Sequence, residues 1–67
     1  MSKYPILQKE IRESGIKVSD LREIIGMSEP SYYRKTSGKC EFTLREAFLI
    51  KKTIKSHLPL EKLFEEG

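Results

Sequence analysis

The segment from Val18 to Arg34, Val-Ser-Asp-Leu-Arg-Glu-Ile-Ile-Gly-Met-Ser-Glu-Pro-Ser-Tyr-Tyr-Arg, constrains this chain more than any other. Two short helical patterns flank the turn Gly26-Met27-Ser28. Leu21, Ile25, Met27 and Tyr32 fall where two helices crossing at a steep angle bury side chains against each other, which is the pattern of a helix-turn-helix. Gly26 stands at the helix-ending position, where a left-handed backbone conformation is free of strain only for glycine.

The flanking sequence is punctuated in the same way. Pro5 suits a first helical turn, where its missing N–H costs nothing, and Ile6, Leu7 and Ile11 recur at helical spacing up to Gly15, predicting a helix over 5–14. Ile16 is expected as a core plug in the connection to a helix over 18–25. Ser28 can cap the next helix by accepting the Ser31 N–H; that helix runs to about Ser37 and is closed by Gly38. Thr43-Leu44-Arg45-Glu46 reads as a capping box, with Phe42 before it as a hydrophobic staple. It opens a helix from 44 to about 57, since Pro59 biases Leu58 away from helical geometry. Leu60, Leu63 and Phe64 share one face of a last short helix. No stretch alternates like a strand, so five helices in one domain spanning 1–67 are expected.

A chain of 67 residues buries only about 60% of its unfolded surface, so its core is small. The single cysteine, Cys40, excludes an internal disulfide and lacks the spaced partners of a zinc site, leaving it a loop thiol. The lone His57 has no acid partner identifiable from the sequence, and no glycine-rich phosphate loop is present, so neither an enzyme nor a cofactor is expected. No basic-then-apolar leader is found and no apolar run approaches a membrane span, which points to a cytoplasmic protein without membrane contact. Charge is placed unevenly. Residues 1–55 carry twelve Lys and Arg against seven Asp and Glu, whereas the last twelve residues carry one Lys against three Glu. Such asymmetry suits a basic face turned toward a polyanion, with the C-terminus turned away.

Gly15-Ile16, Leu21, Ile25-Gly26-Met27-Ser28, Tyr32, Gly38-Lys39, Phe42-Thr43-Leu44, Glu46-Ala47, Ile50, Ile54 and Leu63-Phe64 together resemble the Cro/repressor helix-turn-helix family of phages and other mobile elements. Tyr32-Tyr33-Arg34-Lys35, followed by Gly38-Lys39 and Glu41-Phe42-Thr43-Leu44, is similar to a subgroup from Gram-positive hosts. The resemblance implies a five-helix bundle of the lambda-repressor-like type. It also implies a transcriptional regulator that binds a double-stranded DNA operator as a homodimer. Arg22 and Lys51 stand where the family carries a small residue, so their stems are expected along the core edge with the charges released to solvent. Val18 stands where the family often has a phosphate-binding Gln, so that contact is expected to be lost or taken over by a neighbour such as Lys17 or Ser19.

With Tyr32 inward, a step of 100° per residue turns Pro30, Tyr33, Arg34 and Ser37 outward, with Glu29 and Ser31 on the shoulders. Arg34 can donate bidentately to guanine O6 and N7, its alternative being an ion pair with Glu29 or Glu41. Pro30 and Tyr33 suit a thymine methyl or a sugar. Glu29 can accept from a cytosine amino group, or simply stabilise its helix N-terminus. Lys17, Ser19, Ser28, Lys35 and Lys39 are the phosphate candidates, together with backbone N–H groups of residues 36–39.

Two other readings use the same scaffold: an antirepressor-like adaptor, or an antitoxin that also binds a protein. An exposed apolar patch away from the third helix would favour them. On the fourth helix Ala47, Ile50 and Ile54 share an inward face, which places Leu49 opposite and Phe48 on the shoulder. These two, with Leu63 and Phe64, are the candidates for a dimer interface.

Overall fold

A computed structural model describes residues 3–67 and contains five helices and, among the described residues, no strand. They are α1 (Pro5–Ser14), α2 (Val18–Ile25), α3 (Glu29–Thr36), α4 (Leu44–Ile54) and α5 (Leu60–Leu63). Their ends follow from local chemistry. Gly15 and Gly26 are left-handed at φ 76° and 72°. At Gly26 the N–H groups of Gly26 and Met27 reach back to Glu23 and Arg22, so the carbonyls that α2 leaves open are satisfied and the chain reverses within two residues. Ser28 Oγ accepts the Ser31 N–H, which starts α3 at once. The capping box of α4 is complete: Thr43 Oγ1 accepts from Glu46 N, and Glu46 Oε1 from Thr43 N.

The core is built around α4, which packs most closely on α2 and also touches α1 and α5. Leu7, Leu21, Ile50 and Leu63, one from each of α1, α2, α4 and α5, are fully buried; Ile11, Ile25, Met27, Tyr32 and Ile54 complete the cluster. Ile16 plugs the α1–α2 connection as its place in the sequence suggests. Tyr4, which precedes the first apolar repeat, is also buried. Its ring packs with those of Phe42 and Phe64, all three centroid distances lying between 5.3 and 5.7 Å.

Three expectations are corrected here. First, α4 stops at Ile54 rather than near 57, because Lys55 turns left-handed (φ 55°) and Ser56 N–H bonds back to Lys51 O. Lys51 Nζ donates to Ser56 O, and Ser56 Oγ donates to Glu10 while accepting the Leu58 N–H. These bonds supply the broken helix with partners that further helical turns would have supplied. Second, Leu49 is half-buried against the core. Helices contact α4 from several sides, so its buried face is wider than the Ala47–Ile50–Ile54 stripe. Third, Leu63 is fully buried and Phe64 is held in the aromatic cluster, so neither forms a surface patch. Of the four interface candidates, Phe48 alone is exposed, at 59%.

Candidate nucleic-acid interface

Turning Tyr32 into the core fixes what α3 shows to solvent. Pro30, Tyr33, Arg34 and Ser37 are all exposed, as helical phase predicts. The Tyr33 ring, 57% exposed, stands edge-on to the buried Tyr32 ring with centroids 5.6 Å apart, so a core residue orients an outward one. Pro30, Tyr33, Arg34, Thr36, Ser37 and Lys39 line one groove of about 500 Å³. Its cations are Arg34 and Lys39, and no carboxylate lines it. Arg34 enters no ion pair among the described residues: Glu29 faces the half-buried Arg22, at 3.9 Å, and Glu41 pairs with no cation. The Thr36 and Ser37 hydroxyls donate to the Tyr33 and Arg34 carbonyls, which leaves the Arg34 guanidinium fork, the Lys39 ammonium and the exposed Tyr33 to serve an anion that also presents hydrogen-bond acceptors.

Gln8, half-buried on α1, completes the groove wall and was not among the candidates drawn from the sequence. The signal for it is weak. It sits one residue after the buried Leu7 and one turn after Tyr4, an uncharged polar side chain on the border of α1's apolar face. The Tyr32 hydroxyl lies buried beside it without a hydrogen bond of full geometry. Burial pushes the Tyr32 phenol above its ordinary range, and the Gln8 side chain opposes that rise only in part.

Several phosphate candidates have other occupations. Lys35 is turned away from the groove, its Nζ donating to both Glu46 carboxylate oxygens, with the two side chains only 18% and 17% exposed. Its charge is engaged within the fold. The backbone donors after α3 are engaged too: Ser37, Gly38 and Lys39 N–H donate to Tyr33, Lys35 and Arg34 carbonyls. Gly38, at φ 92°, makes that closure possible, and the same closure removes the expected backbone anchor for a phosphate. Ser28 Oγ caps α3 and donates to Ser31 Oγ.

Lys17 and Ser19 are exposed at the start of α2, outside the groove, and no side chain caps that helix N-terminus. Its first N–H groups therefore point outward beside a lysine. Arg22 and Lys51 behave as their stems suggest, half-buried along the core edge; Lys51, however, delivers its charge to a backbone carbonyl rather than to water.

Among the described residues no group of His, Cys, Asp and Glu could hold a metal ion, Cys40 is an exposed free thiol and His57 is exposed in the loop after α4. No helix among them is long and apolar enough to cross a membrane. No family model, no curated protein and no solved structure matches the chain.

Proposed function

We propose that this protein is a Cro-like transcriptional regulator of the lambda-repressor-like helix-turn-helix type, which binds operator DNA as a dimer with α3 in the major groove. The observation that carries the reading is the acid-free groove along α3. Pro30, Tyr33, Arg34 and Ser37 face outward together and Lys39 lines the same groove. Arg34 is the base reader, since a planar fork on an outward helix face can meet guanine O6 and N7. Lys39 and Lys17 hold phosphates, Ser19 and the open N-terminus of α2 add neutral donors, and Gln8 reaches a backbone or base edge beside Arg34. Glu29 acts at the α3 N-terminus and on Arg22 rather than on a base.

The exposed Leu44 and Phe48 on α4 favour a second reading, an adaptor or antitoxin that binds a protein through this scaffold. Selection of bound fragments from random duplex DNA separates the two readings. The regulator reading expects a palindromic consensus whose affinity falls with salt. About two to four phosphate contacts per subunit give a dimer a log–log slope of about −4 to −7. Failure to enrich any sequence, with no salt-dependent binding, would transfer the assignment to a protein-binding role.

A further inference from the structure

The outer face of α4 carries an apolar stripe that the fold leaves uncovered. Leu44 and Phe48, one helical turn apart, are 69% and 59% exposed, the two highest values among the large exposed hydrophobic side chains. Lys52 continues the same line at i+8 from Leu44, and Lys55, the left-handed residue that closes the helix, lines the same groove as Phe48. The two ends of the stripe differ in charge. At its start Leu44 lies in a groove of about 420 Å³ shared with Glu41, Glu61 and Glu66; at its end Phe48 lies in one of about 440 Å³ with Lys51, Lys52, Lys55 and His57. Glu66 faces Lys3 and Lys51 is bonded to Ser56, whereas Glu41, Glu61, Lys52 and Lys55 enter no ion pair among the described residues.

We infer that this face is an isologous interface, on which the α4 helices of two copies of the chain pack antiparallel across a two-fold axis at Phe48. A stripe acidic at one end and basic at the other is complementary to its own reversed copy, which is what two-fold symmetry requires. With Phe48 opposite Phe48 of the second copy, residues of the helix equally far on either side of position 48 face each other. Leu44 then lies under the Lys52 stem of the other copy, and the acidic end, with Glu41 just ahead of the helix, lies toward the basic end that Lys55 closes. Both juxtapositions occur twice. A parallel pairing would set lysine on lysine and is disfavoured by the same charges. The contact is small, centred on a helix of eleven residues, so the pairing is weak and depends on salt.

This inference deepens the operator-dimer reading and rests on it for its biological use; its test is made without DNA, so that the two fail separately. Sedimentation equilibrium of the full chain, from about ten micromolar to about one millimolar at low salt, covers the range expected of such a contact. A reversible monomer–dimer equilibrium is expected. Phe48→Glu should raise its dissociation constant by at least about tenfold. Glu41→Lys and Lys55→Glu should each weaken it, and the two together should restore it to within about threefold of the parent. Far-UV circular dichroism checks that each variant keeps its fold, as substitutions at exposed positions should. A chain that stays monomeric throughout, or a dimer indifferent to Phe48→Glu, overturns the inference. So does a doubly reversed variant that stays as weak as the single ones. DNA binding by a chain with no such equilibrium would leave the regulator reading standing and remove this interface.

Discussion

Lys35 Nζ donates to both carboxylate oxygens of Glu46, at 2.6 and 2.7 Å, while Glu46 Oε1 also accepts the Thr43 N–H at 2.9 Å. One carboxylate thus caps α4 and ties it to α3, the helix whose outer face forms the groove. Burial pushes the Glu46 carboxyl up, but donation by Lys35 and Thr43 outweighs it and holds the group below its ordinary value of 4.5. The folded value lies below the unfolded one, so the stabilisation is present above pH 4.5 and is lost as pH falls through the folded value. Glu46→Gln should cost about 1–3 kcal/mol at pH 7. In urea titrations the parent and the variant should converge at a pH below both values; a constant gap would assign the loss to something other than this charge.

The same pair separates two lysines that the sequence treats alike. Lys39→Gln should flatten the salt dependence of DNA binding by about one unit per site. Lys35→Gln should leave that slope unchanged and lower the melting temperature instead. A flattened slope for Lys35→Gln would mean that the side chain leaves Glu46 when DNA binds.

Arg34→Ala should relax base preference at one position of each half-site at a cost of about 1–3 kcal/mol, with little change on random DNA. Competition titrations with operator and random duplexes measure the difference. Equal losses on both would make Arg34 a phosphate contact.

Tyr32 carries a buried hydroxyl without a hydrogen bond of full geometry, so removing it should relieve a desolvation cost. Tyr32→Phe should leave stability unchanged or raise it by up to about 1 kcal/mol in chemical denaturation. Because burial raises the phenol above 10.0, the neutral form's contribution is present below that pH and is lost as pH rises through the folded value. The phenylalanine variant should not show that alkaline loss. Destabilisation by the substitution would show that the hydroxyl has a working partner in solution.

Lys55 is left-handed without being glycine, and among the described residues it is the one non-glycine with a positive φ. Lys55→Gly should stabilise the fold by about 0.5–1 kcal/mol by relieving that conformation. Thermal melts at dilute concentration, where a weak dimer has dissociated, check it; a lowered melting temperature would mean that the lysine's contacts outweigh its backbone cost.

What was legible in the sequence was punctuation: Pro5, Gly15, Gly26, Ser28, Thr43 and Glu46 each act within a few residues, and the bounds of α1 and α2 and the start of α4 follow from them. The outward set Pro30, Tyr33, Arg34 and Ser37 was legible because a single buried phase marker, Tyr32, sets it. What escaped depends on how helices sit against one another. Lys35 and Glu46 are eleven positions apart and meet only once α3 is placed against α4. Gln8 reaches the groove because α1 passes beside α3, and Leu63 and Phe64 are covered because α5 folds back onto α1 and α4. Periodicity describes one helix at a time. It marks which face is apolar and does not tell how many neighbours share that face, which is why Leu49 was assigned to the wrong environment.

The bonds around Ser56 make an irregular segment behave like part of the scaffold. Its hydroxyl bridges Glu10, forty-six positions away, to the Leu58 amide, and its carbonyl holds the Lys51 ammonium. Releasing the loop after α4 therefore means separating it from α1 and from its own helix in one event. The Leu58 amide should exchange its proton with solvent on the timescale of opening the whole molecule, not on that of a fraying end. The loop that leads into the last helix is thereby fastened to the first helix by a side chain rather than by chain continuity, and this tie opposes the separate release of either end.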